Sequence, residues 1–511
     1  MTTSIKYILA LLLSLTVIDF AQGQTAQEES QTFSATVLDS KTQEPIPFAT
    51  VQTSKNTGTI TNTEGVFSVI LKATRPENDS IFISSMGYAK KGILPEMVSD
   101  GVVLLKAETN ELETVFLTNN PLEAEEIIER VKENLTKNYP NALTQKKIFF
   151  RQSLHNTNQK MDIDFKKSTI EELNEALIDS VVDLIPKKSD YYSETVATLT
   201  GNYYKKKLNV ERAAKLYDKN KDVSADGLGK RLEKIFKENV KPDSYLKIKS
   251  GLFGTKVALD EIESSDRPEG EEEGSAPVEV KVGDDPTTQD ITSGIKDNIN
   301  ELYEDLFFKE NAKLDVLEKS NRYSFTHKGI TSIDDALTYI IAFEPSGSKD
   351  FSGTMYVNTE DYAVMRLEYK NVKRLYGIKL LGISYRETLN RGKCLFAKDS
   401  NGGYSLRFME LEEGVEFGVD RPLKVIEKNK NVAGRRKQNE LSLNIDMAYY
   451  ALNKSEFVVF DSKDIQEVDY KNATESTDAE ATYLPAYDPN FWKDYTIMEP
   501  NAAIRSFTVE E

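Results

Sequence analysis

Hydrophobic positions along the chain change period several times, and those changes divide it. Between Phe33 and Lys106, short β-rich runs at Phe33–Leu38, Pro47–Thr53, Gly65–Leu71, Ser80–Ser85 and Val102–Leu105 are separated by turn residues. That rhythm predicts a small all-β sandwich over 32–107. Thr63-Glu64-Gly65 precedes the run from Val66, and the glycine supplies the positive φ that a tight hairpin needs. After a connector from Glu108 to Pro121, Ala124, Ile127, Ile128, Val131 and Leu135 recur at helical spacing. Glu123, Glu125 and Glu126 suit the start of that helix, and Tyr139-Pro140 ends it.

Helical stripes continue beyond it. Ile170, Leu173, Leu177, Val181 and Leu184 follow a capping box at Ser168-Thr-Ile-Glu171 and stop before Pro186. Leu228, Leu232, Ile235 and Phe236 form a second stripe, and Ile299, Leu302, Leu306 and Phe307 a third. A helix-rich region over 121–320 is expected from them. From Asn321 to about Tyr470 the period becomes two, as in Leu441–Met447 and in Met365, Leu367 and Tyr369, which predicts an antiparallel sheet over 321–470 with one wet face. Phe351–Val357 and Tyr362–Tyr369 read as a hairpin. The tail, 471–511, is aromatic and proline-containing around Tyr483–Pro500, and Trp492 is expected to dock it on the body. The fold class is therefore multidomain: an amino-terminal all-β sandwich followed by an α+β body.

Charge narrows the function classes. The chain has 511 residues, with 83 acidic and 65 basic side chains and a net charge of −18. That balance argues against a nucleic-acid-binding face, which needs clustered Lys and Arg. Residues 260–290 hold twelve acids and two bases, 2 − 12 = −10, with three prolines, so a flexible acidic loop is expected there. At the amino terminus, Lys6, the apolar run Tyr7–Val17 and Ala21-Gln22-Gly23 read as a cleaved secretory signal over 1–23. A run of that length is too short to span a bilayer. Cys394 is the one cysteine, so an exported chain has no internal disulfide, and no lipid-bearing cysteine follows the signal.

Candidate chemistry is tested residue by residue. A zinc peptidase needs a His-x-x-Glu pair and a distant second His. The two histidines, His155 and His327, are followed three positions later by Asn158 and Ile330 and cannot supply it. Asp218, Asn220 and Asp222 fit the opening of a calcium loop, but Val223 and Gly229 stand where Gly and Glu are required. The carboxylates Glu269–Glu273 lack an enclosing turn, and Gly227–Arg231 lacks phosphate-loop spacing. No catalytic, cofactor-binding or metal residue is assigned, and no cofactor is expected. A carboxylate pair of glycosidase type would be invisible in the sequence.

Four elements in order resemble the carboxypeptidase regulatory-like domain. They are Val37-x-Asp39, the strand Pro47-Phe-Ala-Thr-Val51, the turn Thr61–Phe67 and Ser84–Tyr88, with Ala35 standing where the family usually has Gly. The resemblance implies a seven-stranded, transthyretin-like sandwich and no catalysis of its own. Ala124–Val131 followed by Phe149–Arg151 is similar to a helix and aromatic-Arg strand in a family of Gram-negative envelope proteins. Members of that family often append an outer-membrane barrel, whose strands need about ten alternating residues with an apolar lipid-facing band. The charges near the longest alternating stretches here, and the chain's length, argue against one. The hairpin at 351–369 resembles strand pairs of periplasmic lipoprotein carriers, which hold an acyl chain.

The expectation is a non-enzymatic, exported envelope protein with a binding or scaffolding role, in the periplasm or on the periplasmic face of the outer membrane. Its partner is expected to be an envelope protein or an apolar ligand, with no nucleic acid; association with the outer membrane and the oligomeric state stay open. A periplasmic carrier of a lipid or other apolar ligand and a carboxylate-based hydrolase such as a glycosidase are the alternatives.

Overall fold

The computed structural model describes residues 30–54, 57–72, 76, 79–108, 122–219, 234–241, 244–251, 253–258, 290–399, 401–429 and 436–509. The signal segment, most of the connector, the acidic loop apart from Asp290, and the stretch from Asn220 to Arg231 lie outside them. No helix among the described residues is long and apolar enough to cross a membrane.

The amino-terminal strands are β1 (Ser30–Asp39), β2 (Thr50–Ser54), β3 (Thr57–Ile60), β4 (Val66–Lys72), β5 (Ile81–Ser84), β6 (Lys91–Ile93) and β7 (Val102–Leu105). They form two sheets, β4–β1–β7, in which β1 and β7 are parallel, and an antiparallel β3–β2–β5–β6. Val37, Val51, Phe67, Ile81, Ile83 and Leu105 are buried in one core, each side chain contributing roughly 1.5–3 kcal/mol. β3 and β6, four and three residues long, are too short to register in the hydrophobic pattern. Two motif residues meet: Asp39 accepts from the Lys41 and Thr42 amides at 2.6 and 2.9 Å and from the Tyr88 hydroxyl at 3.0 Å. Gly65 sits at φ 74°, with the Val37 carbonyl 2.6 Å from where a Cβ would stand, so only glycine fits that turn.

The body begins with α1 (Ala124–Asn138), whose Ala124, Ile127, Ile128 and Val131 are buried as the stripe predicts. There follow β8 (Thr144–Ser168), α2 (Glu175–Leu184), β9 (Lys188–Gly201), β10 (Lys206–Tyr217), β11 (Ser244–Ser250), β12 (Phe253–Ala258) and α3 (Thr292–Glu304). The body is mostly β, and the expected helix-rich character of 121–320 is corrected: five strands, β8 to β12, occupy much of it. The physical reason is burial on both faces. Ile148, Phe149 and Phe150 are consecutive and all buried, so a covered strand shows an apolar run where an alternation was sought. The stripe from Ile170 is helical only from Glu175, and Asn174 caps it by accepting from the Leu177 amide at 3.0 Å. Ser168 makes a local turn instead, accepting from the Ile170 amide at 3.1 Å.

The remaining strands are β13 (Tyr323–Ile333), β14 (Ala336–Pro345), β15 (Phe351–Asn358), β16 (Val364–Asn371), β17 (Tyr376–Leu380), β18 (Ile383–Lys398), β19 (Tyr404–Asn429) and β20 (Lys437–Asp464), then α4 (Glu467–Asn472), β21 (Thr482–Leu484) and α5 (Ala502–Arg505). The antiparallel sheet expected over 321–470 is present and larger than expected. Its pairings run β13–β14–β15–β16–β18–β19–β20–β8–β9–β10–β21, antiparallel until the last, parallel pair. β17 and the β11–β12 hairpin pair with the ends of β18 and β19.

One face of this sheet carries α1 and α3, whose Ile127, Val131, Ile299 and Leu302 share a core with Phe150, Phe343, Leu406 and Phe457. On the opposite face Phe149, Phe408, Val458 and Phe460 pack against Trp492, Ile497, Met498 and Ile504 of the tail and Phe48 of the sandwich. A register shift beside Leu395 lets Leu406 and Phe408, two positions apart, serve opposite faces.

Candidate functional site

The sandwich meets the sheet through Phe48. This buried residue has φ 57°, a conformation that costs a bulky side chain roughly 1–3 kcal/mol and persists only where its surroundings hold it. Thr61 holds it: its hydroxyl accepts from the Ala49 amide at 2.8 Å and donates to the Ile46 carbonyl at 2.8 Å, while its carbonyl accepts from the Phe48 amide at 3.2 Å. The Phe48 ring then stacks on Phe408 at 5.2 Å, with the Lys393 ammonium 4.0 Å from its centre. Both Phe48 and Thr61 belong to the motif elements found in the sequence.

The tail fastens this junction. Asn62 donates to the Pro500 carbonyl at 3.0 Å, the Ala502 amide donates to Glu64 at 2.6 Å, Arg505 pairs with Glu64, and Ser68 donates to Glu499. Immediately before these contacts the tail is held by Arg151, a fully buried guanidinium that donates to Glu194 at 2.7 Å, to Glu456 at 3.4 Å and to the Met498 carbonyl at 2.7 Å. The Trp492 indole donates to the second Glu194 oxygen at 3.0 Å. Burial alone would raise the Glu456 carboxyl, but Arg151 and Lys454 outweigh it and hold the group below its ordinary range.

Beside Phe48 the junction leaves a cleft of about 400 Å³. Phe48, Val51, Ile60 and Met86 of the sandwich and Ile333, Met365, Leu395, Phe396, Val459 and Phe460 of the sheet give it an apolar floor. Its rim carries Lys90, Arg366, Lys398 and Arg407 together with Asp334, Glu360, Asn358 and Tyr404. The four cations are matched. Arg407 pairs with Asp399 at 2.9 Å, Lys398 with Asp361 at 2.8 Å, Arg366 with Glu368 at 2.8 Å and Lys90 with Asp335 at 3.4 Å. Tyr404 donates to Asp361 at 3.0 Å and accepts from Asn358 at 3.3 Å, and burial, then Asp361, pushes its hydroxyl well above the ordinary range. A cleft so lined favours an apolar body carrying a small polar head, because no cation there lacks its counter-charge.

A second, shallower groove of about 570 Å³ runs along the same face and is lined by Glu368, Arg391, Lys393, Glu410, Glu412 and Lys454. It is a ladder of opposite charges: Lys454 lies 2.8 Å from Glu410 and 3.1 Å from Glu456, Lys393 lies 3.8 Å from Glu368, and Arg391 pairs with Glu412.

The residues weighed for chemistry in the sequence lie elsewhere. His155 places Nδ1 2.7 Å from Asp190, and His327 places Nε2 3.1 Å from the Gly329 carbonyl, on separate strands. Cys394 is buried in the helix-side core, and burial, then Asp305, pushes its thiol up to about 12, which leaves it unreactive at neutral pH. Asp218 is described, but Asn220 and Asp222 lie outside the described residues. No three of His, Cys, Asp and Glu among the described residues are grouped to hold a metal ion. On the sheet side of the cleft, sequence reasoning reached Met365 through the hairpin but missed Leu395 and Tyr404, which carry no motif.

Among solved structures, the chain is similar to an outer-membrane lipoprotein-sorting protein domain from Vibrio parahaemolyticus, 9% identical, over 68% of this chain and 97% of that one, with a TM-score of 0.18. It is also similar to a DUF1329 family protein from Desulfovibrio piger, 7% identical, over 64% and 91%, with a TM-score of 0.17. No curated protein matches the chain. Residues 33–117 match the family model of the CarboxypepD_reg-like domain, which covers the sandwich that presents Phe48 and Thr61.

Proposed function

We propose that the protein is a non-enzymatic binding protein of the bacterial envelope that holds an apolar or amphipathic ligand between its sandwich and its sheet. The observation that carries this reading is the junction cleft, with about ten apolar side chains in its floor and a rim whose cations are each paired with a carboxylate. An apolar-floored cleft moves the weight from a pure scaffold toward a carrier. The charged groove supports the non-enzymatic part of the reading: Glu410, Glu412 and Glu368 each face a cation, an arrangement that suits ionised structural carboxylates better than a general acid. Export follows from the amino-terminal segment read in the sequence.

Native mass spectrometry of protein purified gently from its own envelope tests this function. A stoichiometric apolar adduct, lost on delipidation and regained on adding the extract, is the expected result. Protein that carries no adduct and takes none up contradicts the reading.

A further inference from the structure

The β17–β18 hairpin presents an apolar surface that the ligand cleft does not use. Of thirteen large apolar side chains exposed among the described residues, six fall between Val372 and Ile383. Leu380 and Leu381, at the apex, are 60% and 49% exposed. The turn itself is built against local preference. Leu381 at φ 51° and Gly382 at φ 82° occupy the two positive-φ positions of a tight hairpin turn, where Asn, Asp or Gly is the favoured first residue. A leucine held there at a conformational cost is a leucine displayed.

Charge says to what. Residues 372–386 contain Lys373, Arg374, Lys379 and Arg386 and no acid, in a chain of net charge −18. Lys373 pairs with Asp350 at 3.1 Å and Arg386 with Glu416 at 3.0 Å; Arg374 and Lys379 form no ion pair among the described residues. The apolar tip also continues across the sheet. Leu380, Ile383, Val419, Met447 and Met161 are successive cross-strand partners on five strands, so the tip ends a continuous apolar row. Basic residues around exposed leucines are the composition that enters the headgroup region of an anionic bilayer, the cations meeting phosphates and the leucines leaving water.

We propose that the hairpin tip Tyr376–Ile383 is a membrane-contact element that inserts into anionic phospholipid surfaces. The proposal does not rest on the ligand cleft.

Co-sedimentation of the full chain with vesicles of phosphatidylethanolamine and phosphatidylglycerol, against vesicles of phosphatidylcholine, tests it. The wild type is expected to bind the anionic vesicles at least tenfold more strongly, with binding that weakens as salt rises. Leu380→Asp with Leu381→Asp is expected to lose at least tenfold, and Arg374→Glu with Lys379→Glu to lose the preference for anionic lipid. These side chains are exposed, and unchanged thermal unfolding with unchanged Trp492 emission verifies that each variant is folded. A wild type that binds neither vesicle overturns the proposal, and so does a Leu380→Asp, Leu381→Asp variant that binds like the wild type; the second result would place the membrane contact elsewhere on the chain.

Discussion

Arg151 is the residue on which the carboxy-terminal tail depends. It is among the largest fully buried side chains, and it joins Glu194, Glu456 and the Met498 carbonyl in one cluster that Trp492 completes. Replacing it with alanine would leave Glu194 buried without its cation and Glu456 with Lys454 alone, a loss of about 3–5 kcal/mol. Urea unfolding followed by Trp492 emission should show that loss together with a red-shifted native spectrum, since Trp492 is the one tryptophan in the chain. Glu440 offers a second residue-scale test. Hydrogen bonds from Lys437 first, then Lys424 and Lys167, hold its carboxyl at about 2 against an ordinary 4.5. Because its folded value is depressed, its contribution is full above about pH 4.5 and is lost as pH falls toward 2. Glu440→Gln should therefore flatten the stability profile over that window in urea titrations. An unchanged slope would mean that the three lysines do not act on this group.

At the scale of elements, what was legible followed from how each element is buried. The sandwich was readable because its turns carry fixed residues: Gly65 must take a positive φ, and Asp39 and Tyr88 bond to each other across the motif. α1 was readable because one stripe faces the sheet and the other faces water. β8, β9 and β10 were not, because helices cover one side of the sheet and the tail the other. With both faces dry, Phe149 and Phe150 are apolar neighbours that belong to different cores. The cleft was half legible for the same reason. Its sandwich wall follows from a motif strand and turn, whereas its sheet wall is assembled from β16, β18, β19 and β20, whose alignment depends on register shifts that no local pattern records.

For the whole molecule, the tail acts as a strap. It binds Ser68, Asn62 and Glu64 of the sandwich through Glu499, Pro500 and Ala502 and Arg151 of the sheet through the adjacent Met498, so one short segment ties the two bodies together. Phe48, held by Thr61 and stacked on Phe408, sets the cleft's inner end. An apolar ligand seated there would bridge both bodies and should stabilise their union by mass action. The most direct test of that claim is equilibrium titration of the delipidated protein with a fluorescent fatty acid, comparing the wild type with Ala397→Trp. Ala397 lines the cleft and is only half-buried, so the indole would fill the cavity without disturbing a core. Saturable one-to-one binding by the wild type, reduced at least tenfold in a variant of unchanged thermal stability, is the predicted result. Equal binding by the two proteins, or none by the folded wild type, would contradict the account.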